Sequence, residues 1–482
     1  MISKTSVLLI IFMMRNIQCS VMKKLLLILL LSPMIISAQS MSDDSLFIHK
    51  LAVNILSSDA SYNNLHHLTK NIGGRLSGSP QTYLSEQWGA EAMKNAGADN
   101  VTLQECMVPH WIRGGQDKAF VTYKNENGGQ QKYALNILAL GNSVGTGPKG
   151  LLAPLIRVNN FDELEAKKNE LSGKIVFYNV PFDDTLINTF AAYGKNVIYR
   201  GLGASRAAKY GAAAMLMRSM TNTPGNYPHT GSLRYLDSIK NIPAAAMGLE
   251  DVKKLDSLFD KNIPVTAALY TNGQMLPDTI AHNVIGELKG TEHPEQIIAV
   301  GGHLDSWDPA EGANDDGTGV VQTIEVLRVF KALGYQPKHT IHFVLFANEE
   351  NGTRGGRKYA DEAKRNNEQH IFALESDAGG FTPRGFSFDV TNAVSWQKIT
   401  SWKPLFTPYY CDRFEMGEAG ADIGFLKVLQ TPQAGLNPDS QRYFDIHHAA
   451  TDVFENVNIR EMKLGAINMA ALIYLVDKYG LN

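Results

Sequence analysis

Cysteine is nearly absent from this chain: three occur in 482 residues, and Cys19 lies ahead of a leader-like segment. The remaining two, Cys106 and Cys411, are too few for a disulfide framework. They either pair in an oxidising compartment or stay as free buried thiols. Any metal site must therefore draw on His, Asp and Glu. Charge of one sign is also lacking, with 45 basic and 48 acidic residues and a net charge of −3. That balance gives no footing for a nucleic-acid or anionic-membrane surface. Low-complexity runs are missing, and beyond residue 38 no stretch approaches 18 apolar residues. A transmembrane helix is thereby excluded from the mature region, which is expected to be soluble.

What is present is a globular composition, 44% hydrophobic and 19% charged, in a chain long enough for two or three domains. Lys23 and Lys24 open a positive start at Met22, and the apolar stretch 25–36 is short for a bilayer span. Ser37 and Ala38 offer small residues for cleavage before Gln39. Residues 1–38 are read as an upstream extension and signal peptide, which implies a secreted or periplasmic protein with no membrane contact after cleavage. A retained N-terminal anchor is the alternative. The context of Cys19 is a poor lipobox.

Helical spacing covers 45–60 and 80–96, and alternation suggests strands at 101–108 and 117–123. Four glycines and a proline in 141–150 mark a boundary. Residues 39–144 are thus expected to form the N-terminal part of a main domain, and 145–270 a small insert. The insert holds short apolar runs with turn signals between them, but no cluster of acids and histidines. The reaction is expected elsewhere, in 271–482, where strands and helices alternate. Strands are expected at 297–301, 339–347, 371–374 and 431–436, and helices at 318–333, 355–364, 397–406, 420–427 and 459–479. This pattern predicts an α/β fold, a mostly parallel mixed sheet covered by helices on both faces. In such sheets, sites form beyond the carboxyl ends of the strands.

Polar clusters lie past the predicted strands. The first holds His303 and Asp305, spaced so that one ring nitrogen binds a metal while the carboxylate accepts a hydrogen bond from the other. Next come Asp315 and Asp316 in a glycine-rich turn entering a helix. One carboxylate suffices for a cap, so the other is free to bridge two cations; Asp315 suits the ligand role and Asp316 the cap or support. Glu349 and Glu350 follow the next strand. In a hydrolytic site one such carboxylate binds metal and the other moves a proton. Glu375 and Asp377 follow another strand, beside small residues that leave room for an ion and a substrate. His447, His448 and Asp452 come last. Each cluster alone has an ordinary reading as a solvated pair or a cap. Together they offer two histidines and three carboxylates, with one carboxylate to bridge, enough for two divalent ions about 3.5–4 Å apart. Oxygen and imidazole donors suit zinc, with manganese or cobalt also compatible.

The segments GGHLDSWDPAEGANDDGTG, FANEENGTRGG, LESDAGGF and HHAATD resemble those of the M28 family of co-catalytic zinc peptidases. The resemblance extends to Gly74-Arg75-Leu76-Ser77-Gly78-Ser79. The insert is similar to a protease-associated domain, through Ser172-Gly173-Lys174-Ile175-Val176 and Ala207-Ala208-Lys209-Tyr210-Gly211-Ala212. The resemblance implies the zinc exopeptidase fold, two zinc ions per subunit and a peptide substrate with a free terminus. His303 and Asp377 would hold one ion, Glu350 and the late histidine the other, and Asp315 would bridge. Glu349 would be the general acid/base and Asp305 would orient His303. The family spacing of His to acid selects His448 with Asp452, and His447 stays open. Val453 replaces the usual Thr after the acid. The implied reaction is peptide hydrolysis by a metal-bridged water, of aminopeptidase, carboxypeptidase or dipeptidase type. Glu415, Glu418 and Asp422 are candidates to hold a substrate ammonium, and His229 either reaches the cleft or is a surface histidine. A homodimer is plausible on the resemblance. Two further readings remain: a glutaminyl-cyclase-like acyltransferase, which would use one zinc, and a non-catalytic peptide-binding relative.

Overall fold

The structure, a computed structural model, describes residues 43–481. The upstream extension and signal peptide expected at 1–38 lie outside them. No helix among the described residues is long and apolar enough to cross a membrane.

The first of two eight-stranded sheets carries the predicted clusters. Its order is Asn100–Ile112, Gln274–Leu288, His339–Phe346, His293–His303, Gln369–Glu375, Gln433–Pro438, Pro383–Asp389, Arg413–Met416. The four central strands run parallel. Antiparallel neighbours flank them: Gln274–Leu288 on one side and Pro383–Asp389 on the other. The sheet is therefore mixed, with a parallel centre. Alternation along its strands fills both faces. Ile298 and Val300 enter one core with Phe343 and Leu345, while Ala299 enters the other with Val344 and Phe346. A helix at 43–57, with Pro80–Ala96, Thr318–Ala332 and Ile459–Tyr479, covers the first face. Arg354–Arg365 and Ile423–Leu429 cover the second. Burial on both sides is why these strands read as continuous apolar runs.

Local chemistry sets the ends of these elements. Ser79 accepts a hydrogen bond from the Thr82 N–H and Pro80 opens the helix Pro80–Ala96. Gly97 closes it at φ 97°, a conformation that side chains with a Cβ resist. The closing helix Ile459–Tyr479 is capped by Asn458 and packs against Thr318–Ala332. Residues 462–477 of it are buried nearly all round. The strands Pro383–Asp389 and Arg413–Met416 were not anticipated, because Pro383 and Gly385 interrupt the apolar pattern and Arg413–Met416 is a short, largely exposed edge.

The second sheet comes entirely from 118–270, in the order Gln130–Leu135, Lys118–Lys124, Val265–Tyr270, Leu151–Val158, Ile175–Tyr178, Ala214–Arg218, Ala244–Met247, Ile137–Ala139. A boundary at 144/145 would cut it. Residues 141–150 join two strands of this one sheet, and Lys118–Lys124 pairs with Val265–Tyr270. The runs Ile175–Tyr178 and Ala244–Met247 are buried on both faces, which explains their lack of alternation. One core of this unit takes in Phe381, Tyr443 and Phe444 from the first. There Phe190 stacks on Tyr443 at 5.3 Å and Tyr193 on Phe444 at 4.9 Å. These contacts set the helix Thr189–Ala208 against the segment that leads into His447.

Ile467 has no exposed surface and lies in the main core. Ile467→Ala should cost about 2–5 kcal/mol, read as a lower urea midpoint at unchanged slope. A loss below about 1 kcal/mol would contradict its central place in the packing.

Candidate metal centre

All the clusters emerge at the carboxyl ends of the parallel strands. His303 is the last residue of its strand, and Glu349–Glu350 and Asp377 follow theirs by a few residues. Asp315 lies in the turn that enters the helix Thr318–Ala332, and His448 follows the short helix Tyr443–Ile446.

Asp315 is the junction. Its Oδ1 lies 3.2 Å from His303 Nε2, and its Oδ2 lies 3.2 Å from His448 Nε2. Asp377 Oδ1 approaches His303 Nε2 at 3.2 Å, and Glu350 Oε2 approaches His448 Nε2 at 3.1 Å. The result is two donor sets sharing one carboxylate. His303, Asp315 and Asp377 bring their ligand atoms within 4.8 Å of one another, as do Asp315, His447 and His448. Asp315 Oδ2 and Glu350 Oε1 are buried without a hydrogen-bond donor. Orphaned buried oxygens facing imidazole nitrogens are what a cation would satisfy. Of the adjacent histidines, His448 is nearer the carboxylates. His447 Nε2 lies 3.8 Å from Asp315 Oδ2, and its ring stacks on His448 with centroids 3.6 Å apart.

The supporting contacts differ from expectation at Asp305. His303 Nδ1 meets the backbone carbonyl of Asp305 at 3.0 Å, while the carboxylate stands 3.8 Å away. The side chain instead accepts the N–H of Glu349 at 2.9 Å and of Glu350 at 3.3 Å. Asp305 thus orients His303 through its main chain and fixes the two glutamates through its carboxylate. Asp316 accepts from the His303 N–H at 3.0 Å and the Gly319 N–H at 3.0 Å, tying the strand end to the helix start. Asp452 accepts from the N–H groups of Asn314 at 2.8 Å and Asp315 at 3.1 Å. Glu375 accepts from the N–H of Ile423 at 2.8 Å and of Ala421 at 3.0 Å, so it caps a neighbouring turn and leaves Asp377 to the site.

Electrostatics follow from packing these groups out of water. Against the cost of burial, the adjacent His303 and His448 imidazoles hold the Asp315 carboxyl well below its usual range. Burial, then the charge of Asp315, pushes Glu350 up to about 7. Burial also pushes Glu349 well above the carboxylate range, reinforced by Asp377, Glu350 and Asp305. Glu349 is half-buried and lines a cavity of about 780 Å³ that opens over the centre.

Several residues of this cavity escaped sequence reasoning. Phe190, Tyr193 and Arg200 line it from the helix Thr189–Ala208, so the insert holds no ligand but supplies a wall. Gly231 lets that wall approach: at φ 126°, an added Cβ would come within 2.4 Å of Arg200 Nη1 and 2.7 Å of His448 Nδ1. Nothing in the sequence links these residues to motifs more than 70 positions away. Arg75, seen in the sequence only through a resemblance, is fully buried and donates to the carbonyls of Leu304, Glu311 and Gly312, at the two ends of the loop that leads into the Asp315 turn. His229 is neither a cleft nor a surface residue. It is buried, neither ring nitrogen has a hydrogen-bond partner, and burial with the nearby His448 pushes it down to about 3. Glu415 and Glu418 are exposed, Asp422 is buried, and none of the three lines the cavity. Cys106 and Cys411 are both buried and free.

A sequence profile of peptidase family M28 matches residues 283–473. The chain is 34% identical to carboxypeptidase Q of Homo sapiens over 440 residues, covering 91% of this chain and 89% of that protein. Among solved structures, a peptidase M28 precursor from Shewanella amazonensis SB2B superposes with TM-score 0.85 at 29% identity, covering 91% of this chain and 97% of that one. A zinc aminopeptidase from Bacillus subtilis shares the fold, with TM-score 0.59 at 20% identity over 86% of this chain and 94% of that one.

Two substitutions test the donor assignment. Asp315→Ala should lower bound zinc to at most about half of the wild-type content, since both donor sets lose an oxygen. His448→Ala should lower it too, whereas His447→Ala should retain it. Elemental analysis of dialysed protein reads all three. Full metal in Asp315→Ala would refute the shared carboxylate, and metal loss in His447→Ala alone would exchange the two histidines.

Proposed function

The chain belongs to peptidase family M28, and from that premise we propose that it is a secreted di-zinc exopeptidase. It hydrolyses the peptide bond of dipeptides or short peptides that carry a free terminus. The observation that carries the reading is Asp315, with one oxygen toward His303 and Asp377 and the other toward His448 and Glu350. In this reading His303, Asp315 and Asp377 hold one zinc ion, and Asp315, Glu350 and His448 hold the other. Bound there, the ions would polarise the scissile carbonyl and bring the pKa of water toward neutrality.

The chain's own residues supply the rest. Glu349 is the one carboxylate on the cavity wall that the donor sets leave unused. Its pKa, raised by burial, suits a group that takes a proton and gives it back. It accepts the proton on its carboxylate oxygen and returns it to the leaving amine. Asp305 holds the Glu349 and Glu350 N–H groups from one side chain, which fixes base and ligand relative to each other. The helix Thr189–Ala208 closes one wall of the cavity and limits water around the reacting groups. The protease-associated character of the insert, through its two short motifs, fits this covering role. The positive, apolar leader at 22–38 supports export.

Glu349→Gln should keep its zinc and lose turnover by about 10²–10⁴-fold on an unblocked dipeptide. Elemental analysis and kcat on the same preparation measure both. Activity within about threefold of wild type would remove Glu349 from the reaction.

A further inference from the structure

The two histidines assigned to metal are oriented by different parts of the molecule. At His303, Nδ1 meets the carbonyl of Asp305, two residues further along its own strand end. At His448, Nδ1 has two neighbours, each at 3.3 Å: Arg200 Nη1 and the Thr230 carbonyl, both from the insert. For His448 to offer Nε2 to a cation, Nδ1 must carry the ring proton. A guanidinium only donates, so the Thr230 carbonyl is the acceptor for that proton.

Thr230 holds the main chain of His448 as well. Its N–H donates to the His448 carbonyl at 2.9 Å. His448 lies at φ 58°, in the left-handed region, where a residue with a Cβ persists only when its surroundings hold it. One residue thus fixes both the ring and the backbone of a candidate ligand, and it has no exposed surface through which water could take its place.

Thr230 is itself placed by the second sheet. Its hydroxyl donates to the carbonyl of Ala139, the last residue of a strand in that sheet, at 2.9 Å. On one side, the His229 N–H donates to Ser219 Oγ at 2.9 Å, and that hydroxyl donates to the Met247 carbonyl at 2.8 Å. On the other, the Gly141 N–H donates to the Gly231 carbonyl and the Leu233 N–H to the Gly141 carbonyl, each at 3.0 Å. The fit leaves no slack, since a Cβ on Gly231 would lie 2.7 Å from His448 Nδ1.

We propose that the Thr230 main chain is the positioning group for His448, so that the insert sets the affinity of one of the two metal sites. The proposal rests on the two-ion reading above. It assigns the site of Asp315, Glu350 and His448 to the joint between the two structural units, and the site of His303, Asp315 and Asp377 to the main sheet alone. Outer partners of a metal-bound imidazole fix its tautomer and its aim, and losing one weakens metal binding by about 10–100-fold. The coupling is reciprocal: whatever Thr230 adds to metal affinity, metal adds to the docking of residues 229–233.

The test measures zinc binding to the full chain, with its two dissociation constants resolved by competition against a chromophoric chelator. Gly231→Ala, which pushes on the His448 ring, should weaken one constant by about 10–100-fold and leave the other within about threefold. In a His448→Ala background the same substitution should change the remaining constant by less than about threefold, because the group it acts through is gone. On wild type alone, zinc loading should slow hydrogen exchange of the peptide spanning 229–233 by at least about tenfold and leave the helix Leu249–Asp260 unchanged, a readout that needs no variant to fold. Equal weakening of both sites by Gly231→Ala, a further loss in the His448→Ala background, or exchange at 229–233 that ignores zinc overturns the proposal. A single zinc per wild-type chain, with one dissociation constant, would overturn the two-ion reading and the proposal with it.

Discussion

A single carboxylate shared between two imidazoles organises this molecule. The oxygens of Asp315 face His303 on one side and His448 on the other, each at 3.2 Å. Four acidic side chains and two histidines thus meet in a largely buried space. Burying like charges together is costly, and the raised pKa values of Glu349 and Glu350 express that cost. Divalent cations, held as proposed, would offset it. The surroundings are correspondingly rigid: Asp452 holds the Asp315 backbone, Asp316 joins strand to helix, and Arg75 gathers carbonyls from both ends of the loop that leads into the turn. Each of these supports is a charged group in contact with main chain, and so fixes loop geometry that side-chain packing alone would leave loose.

The two sheets divide the labour. The first brings the candidate ligands to one edge because parallel strands all end on the same side. The second contributes none, yet its long helix packs on Tyr443 and Phe444 and forms one wall of the cavity. Their shared aromatic core means that the segment carrying His447 and His448 is held from both sides. The cavity over the centre is therefore walled by two structural units that were separate in the sequence pattern.

How much of this was legible depended on distance along the chain. The parallel centre of the sheet could be read from short apolar strands alternating with helices, and the side chains that meet at the candidate centre from acids and histidines placed past those strands. His448 over His447 depended on spacing to Asp452, whose role in holding the Asp315 turn only the structure reveals. Asp305 was visible, but its actual contacts were not: two residues after His303 the main chain, not the side chain, reaches the imidazole. The glycines at 141–150 looked like a domain boundary because a turn within a sheet and a linker share the same composition. Arg200 and Tyr193 were invisible, since a helix face turned toward another unit leaves no local mark.

The account stands most directly on two metals bridged by Asp315. Anomalous diffraction at the zinc edge, from crystals of the zinc-loaded protein, measures this without reference to turnover. It should give two peaks about 3.5–4 Å apart with Asp315 between them, one beside His303 and one beside His448. A single peak, or two peaks with Asp315 bound to one alone, would contradict it.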